Sequence, residues 1–266
     1  MTINVEGSKA KLTPTVIGVG PEQAEVNEAN KDYTLIGNLR IYGQPLGKVA
    51  SEEVSNLVSN PTTELHLLRH FREVPAGYQL VGKEKEVFNP KDKTTTKEPI
   101  TEQDTQKAID TKGSKLFIGV PGLETPANLV NLVRQEVISQ AAQGKLNWYD
   151  GGFCKKTYLQ IEFPSNIGTD SVVPLASLQP AEISKVTQQV RGKLAGDDFS
   201  VNVIGGHKGV PSNKLSVVIG HIKGESAPVI FAAYPGSMAA DFPRDHQSEA
   251  EKAYNKEFWA NHGFIG

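Results

Sequence analysis

Between residues 199 and 243, two histidines and two lysines sit beside short apolar runs. His207 lies in Gly205-Gly206-His207-Lys208-Gly209, where the glycines let a ligand approach the backbone closely and the lysine supplies charge. His221 falls near the end of the run KLSVVIGHI, and Lys223 follows two residues later, on the same face of an extended strand. Imidazole titrates near neutral pH. Two imidazoles can therefore divide the cleavage of a phosphodiester through a neighbouring 2′-hydroxyl: one removes the proton, the other protonates the leaving oxygen, and ammonium groups stabilise the phosphorane. On this reading His207 and His221 are acid and base, and Lys208 and Lys223 contact the phosphate. The plainer reading makes His207 a turn residue and His221 an edge-strand residue.

Cys154 offers a second chemistry. In Gly151-Gly152-Phe153-Cys154 the thiol precedes Lys155 and Lys156, whose charge favours a thiolate, and a histidine brought near by the fold would complete a nucleophilic pair. An inert, half-buried thiol is the alternative. His66 and His70 stand four apart, a spacing that suits two ligands of one zinc ion, but the glutamate of the HExxH arrangement is missing between them. No structural zinc and no cofactor is expected. Gly18 and Gly20 begin a dinucleotide fingerprint that Pro21 and Gln23 interrupt.

These residues need a scaffold. The runs VNVIGG, KLSVVIGHI and APVIFAAYPG read as three strands joined by turns and forming the centre of one sheet. Upstream, SKLFIGVPG reads as a buried strand. Leu129, Leu132, Val133, Val137 and Ala141 then form a 3.6-period stripe closed by Gly144. NWYDGG reads as a turn before a strand in which Leu159, Ile161 and Phe163 share one face. Ser177 is a cap candidate for a helix with Ile183, Val186 and Val190 on its buried side. Toward the N-terminus, Tyr33–Tyr42 reads as a strand interrupted at Gly37-Asn38 by either a tight turn or a bulge, and short helices are expected at 51–58, after Pro61, and from Thr101, where Asp104 completes a capping box. Residues 89–103 read as an exposed connection. The tail carries a polar helix whose aromatic end, Tyr254, Phe258 and Trp259, packs back onto the domain.

The expected class is α+β: a largely antiparallel sheet with helices packed on one face, plus a smaller irregular N-terminal lobe. The expected division is a β-rich lobe over residues 1–110 and an α+β domain over 111–266. The 266 residues carry 28 basic and 30 acidic side chains, a net charge of −2, so no general cationic field marks a nucleic-acid binder. A single cysteine excludes an internal disulfide framework. The sequence shows no basic and apolar leader and no run of about 20 apolar residues, so the chain is expected to be cytoplasmic or secreted by a route that cuts no N-terminal signal.

The succession of a helix, a strand, a His-bearing strand with His221 in VVIGHIKG, and a strand closing on Tyr234-Pro235-Gly236 resembles the C-terminal region of bacterial ribonuclease toxins of the barnase, EndoU, colicin and RelE type. The resemblance covers about residues 175–243. It implies a bacterial toxin or effector whose C-terminal domain cleaves RNA, with Tyr234 orienting the substrate. The competing classes are a cysteine-dependent hydrolase or transferase using Cys154, and a non-enzymatic module. That module would bind a protein through the N-terminal lobe or the C-terminal aromatic helix.

Overall fold

The computed structural model describes residues 33–57, 59–89, 94–190 and 200–266. Strands β1 (Tyr33–Ile36) and β2 (Leu39–Tyr42) form a hairpin around Gly37-Asn38, the tight-turn alternative for that segment. Strand β3 (Gly47–Lys48) leads into α1 (Ser51–Ser55) and α2 (Pro61–Leu68), the latter opened by Pro61 and capped by the Asn60 side chain. A second hairpin, β4 (Glu84–Asn89) and β5 (Thr94–Pro99), precedes α3 (Glu102–Ile109), whose Thr101–Asp104 capping box forms as the spacing predicts. Strand β6 (Lys115–Leu116), helix α4 (Pro126–Ala142), and strands β7 (Asn147–Asp150), β8 (Cys154–Glu162), β9 (Gly168–Asp170) and β10 (Val172–Pro174) follow. The chain then runs through α5 (Pro180–Ile183), β11 (Val186–Val190), β12 (Ser200–Ile204), β13 (Val210–Ser212), β14 (Lys214–Ile222), β15 (Val229–Pro235), α6 (Glu249–Asn261) and β16 (His262–Ile265).

The class is α+β. Its largest sheet has the order β15-β14-β8-β7-β3, held by nine antiparallel pairs from Lys214↔Glu162 to Ile222↔Cys154. One face buries Leu159, Ile161, Leu215, Val217 and Ile219 against Val54 of α1, Leu67 and Leu68 of α2, and Val133 and Val137 of α4. The opposite face carries Tyr158 and Val218 beneath Ile36, Leu39 and Ile41 of the first hairpin and Met238. A second sheet, β10-β16-β12-β11, lies under α6, where Val201 packs with Phe258 and Trp259. Its β12–β16 contact is the one parallel pairing among the described residues.

Several expectations change. The three runs of 199–243 do not share a sheet: β12 joins β11 and β16, while β14 and β15 belong to the large sheet. The helix expected from Ser177 is a 3-10 turn at Leu175–Ser177 and a single α-helical turn, α5, after which Val186–Val190 pairs antiparallel with β12. Val186 and Val190 fit the helical period, but β-branched residues also suit a strand once a partner is present. NWYD is strand β7 rather than a turn, and SKLFIGVPG contributes only two strand residues. The boundary near residue 110 does not separate two hydrophobic cores, because Val49, Val54, Leu57, Leu67, Leu68 and Ile100 belong to the same cluster as the large sheet. Within 89–103, β5 is exposed along its length but pairs with β4 in register. The Gly18–Gly20 segment lies outside the described residues. No helix among the described residues is long and apolar enough to cross a membrane.

Candidate functional site

His221, Lys223 and Cys154 do come together, around a cavity of about 350 Å³ at one end of β8 and β14. His221 Nδ1 lies 2.7 Å from Glu53 Oε1, and Nε2 lies 3.0 Å from the Glu225 carbonyl oxygen. Glu53 also accepts from Lys155 Nζ and Trp148 Nε1, both at 2.8 Å. Burial opposes the charge on Glu53, but these three hydrogen bonds outweigh it and hold the carboxyl below its usual range. With both ring nitrogens facing protein oxygens, His221 directs neither of them at a substrate. It fastens α1 to the sheet end. Cys154 pairs across the ladder with Ile222, and His221 with Lys155, so thiol and imidazole leave opposite faces of the sheet. Burial raises the Cys154 thiol, against the nearby Lys156 charge, which disfavours a thiolate.

His207 and Tyr234 stand elsewhere. His207 Nδ1 accepts from Gly209 N at 2.9 Å, closing its own loop, and Nε2 lies 3.3 Å from Glu182 of α5. Lys208 beside it is exposed. Tyr234 pairs with Ser216, five residues from His221 along β14, a strand distance of roughly 17 Å. The three residues do not meet in one cleft. Phe258 and Trp259, the aromatic end of α6, are buried in its core and are not offered to a partner.

The Tyr-Pro-Gly turn points to a different centre. Gly236, at φ +124°, packs so closely that a Cβ there would come within 2.4 Å of the Asp170 carboxyl carbon. Asp170 ends β9; its Oδ1 accepts from Val172 N at 2.9 Å and its Oδ2 from Ser237 N at 3.0 Å. Burial pushes this carboxyl up to about 6, against the backbone N–H bonds from Val172, Ser237 and Ser171. Asp170 opens onto a cleft of about 300 Å³ lined also by Asn38, Lys214, Ser237 and His262. Nδ1–H of His262 donates to the Phe258 carbonyl at 2.8 Å, and the ring stacks on Phe258 with centroids 4.0 Å apart. That bond assigns the proton to Nδ1 and leaves Nε2 as the basic nitrogen. The Lys214 ammonium has no carboxylate partner among the described residues.

Next to Asp170 stands a partly buried polar cluster. Burial, then the Asp170 and Asp241 charges, raises the Tyr234 phenol, so its hydroxyl keeps its proton. His70 lies 5.9 Å from the Tyr234 ring, and its Nδ1 donates to the Ser114 carbonyl at 3.0 Å. Burial, aided by His66, Arg69 and Lys115, pushes His70 down to about 3 despite that bond. Ser114 Oγ in turn donates to Ser171 Oγ at 3.0 Å, next to Asp170. His70 sits beyond the last residue of α2, so it does not share a regular helix face with His66. Among the described residues no group of three or more His, Cys, Asp or Glu is placed to hold a metal ion.

Asp170, Lys214 and His262 were not singled out by the sequence. The available signal was Gly168-Thr169-Asp170 after a strand, together with the second glycine-bounded turn, Tyr234-Pro235-Gly236. Comparison of the chain with protein-family models, curated proteins and solved structures finds no match.

Proposed function

We propose that the chain is an acid–base enzyme of the bacterial ribonuclease toxin or effector kind, acting at the Asp170 cleft rather than through His207 and His221. The observation that carries the reading is a partly buried carboxylate, raised to about 6, sharing one cleft with an ammonium that has no carboxylate partner among the described residues and with a histidine of fixed tautomer. Asp170 takes the proton from a 2′-hydroxyl as the new O–P bond forms. The P–O5′ bond breaks, and protonated His262 gives its Nε2 proton to the leaving oxygen. Lys214 stabilises the charge that accumulates on the phosphorane. The products are a 2′,3′-cyclic phosphate and a 5′-hydroxyl, so atoms and charge balance without a metal or cofactor. The RNA substrate rests on the sequence resemblance carried by VVIGHIKG and Tyr234-Pro235-Gly236.

Incubating the protein with total RNA in EDTA tests this. Wild type is expected to cleave, and Asp170→Asn and His262→Ala to lose about 10²- to 10⁴-fold while still melting cooperatively. His207→Ala and His221→Ala are expected to retain activity. RNA left intact by wild type would overturn the ribonuclease reading. Equal cleavage by Asp170→Asn would keep a nuclease and discard this cleft.

A further inference from the structure

The hairpin turn at Gly37-Asn38 forms one wall of the Asp170 cleft and is fastened from two sides. Asn38 N–H donates to the Met238 carbonyl at 2.8 Å, and the Asn38 carbonyl accepts from the Tyr254 hydroxyl of α6 at 2.7 Å. Gly37, at φ +60°, sits where a Cβ would stand 3.0 Å from Met238 N, so the turn lies directly on the 237–240 segment. Two residues on, the Arg40 guanidinium is held between the Tyr254 ring at 3.6 Å and the Tyr33 ring at 4.4 Å. Underneath, Ile36, Leu39 and Ile41 pack against Tyr149 and Met238. The Asn38 backbone is therefore fixed in both its donor and its acceptor. Its side-chain amide is not: among the described residues it has no hydrogen-bond partner, and it lines the same cleft as Lys214.

A neutral amide with two N–H donors on a rigid backbone, beside an unpaired ammonium, suits a tetrahedral oxyanion. We propose that Asn38 and Lys214 together form the phosphate-binding subsite of this cleft, with Asn38 donating to a non-bridging oxygen that Lys214 neutralises. This inference rests on the reading of the cleft as the active site and adds the residue that fixes where the phosphate sits. Neutral Asn38 contributes direction, and Lys214 contributes charge.

The closing experiment reads phosphate binding apart from catalysis. Inorganic phosphate added at millimolar concentration is expected to raise the melting temperature of wild type. Asn38→Ala, whose lost amide has no hydrogen-bond partner among the described residues, is expected to melt as wild type does without phosphate and to lose most of the phosphate-induced shift. Asn38→Asp, which replaces donors with a negative charge, should abolish the shift, whereas Lys223→Ala should keep it. On RNA, Asn38→Ala is expected to raise KM about tenfold with kcat nearly unchanged. A phosphate shift equal in wild type and Asn38→Ala, or absent from wild type, overturns the subsite. Loss of the shift in Asn38→Ala with no RNA cleavage by wild type retains the phosphate subsite and discards only the ribonuclease reading.

Discussion

At the residue scale, two titrating side chains near one wall pull stability in opposite directions. His70 is held at about 3, below its usual 6.5, so the fold disfavours its cation. Its contribution is complete above pH 6.5 and is lost as pH falls toward 3. His66, also lowered by burial, acts in the same sense. Asp170 is raised from 3.8 to about 6, so the fold disfavours its anion and its penalty grows as pH rises from about 4 to 6. The His70 displacement is the larger. Between pH 6.5 and 5 the two effects largely offset each other, so the comparison carries the test: as pH falls through this interval, wild type should lose melting temperature relative to His70→Gln, which cannot take up a proton and keeps the Asp170 gain. A pH dependence shared by wild type and His70→Gln over this interval would contradict the assignment. Activity needs the form of Asp170 that the fold disfavours, because the carboxyl must be ionised to act as a base: kcat/KM should rise as pH passes about 6. A rate profile without that limb would remove Asp170 from the proton transfer. Asp170 did not stand out in the sequence and His70 did so only for its spacing from His66, since burial rather than spacing sets their chemistry.

At the element scale, what was legible followed from local rules. The Thr101–Asp104 box, the stripe of α4 and the Gly37-Asn38 turn all depend on residues a few positions apart, and all three formed. The segment from Ser177 to Val190 failed because its partner strand, β12, lies beyond it in sequence and a period of four serves helix and strand alike. Turns that approach other backbone were equally hidden. Gly236 and Gly224 both have positive φ, at +124° and +94°, but only Gly236 has a neighbour where a Cβ would go, the Asp170 carboxyl at 2.4 Å. Alanine at Gly224 should cost only the backbone term, about 1–2 kcal/mol. Alanine at Gly236 must also displace Asp170, and urea unfolding should show a loss exceeding that of Gly224→Ala by about 1–3 kcal/mol. Equal losses would mean that the close approach of Gly236 to Asp170 carries no constraint.

At the scale of the whole molecule, the cleft is assembled from the β1–β2 turn, the β9–β10 junction, the start of β14, the loop after β15 and the first residue of β16. No two of the side chains Asn38, Asp170, Lys214, Ser237 and His262 are neighbours in sequence, so a motif search had nothing to find. The same long-range closure governs the core. Strand β3 pairs Gly47 with Trp148, and Val49, Val54, Leu57, Leu67 and Leu68 fill the helix-covered face of β8 and β14. Each fully buried aliphatic side chain of that kind contributes roughly 1.5–3 kcal/mol, so removing five of them forfeits an amount comparable with the 5–15 kcal/mol that typically stabilises a domain. A fragment spanning 111–266 should therefore lack dispersed amide resonances and a cooperative melt, although it retains most of the strands. Adding back residues 33–110 as a separate chain should restore the melt if the shared face is what the fragment lacks. A 111–266 fragment that melts cooperatively alone would re-establish the independent C-terminal domain that the sequence suggested.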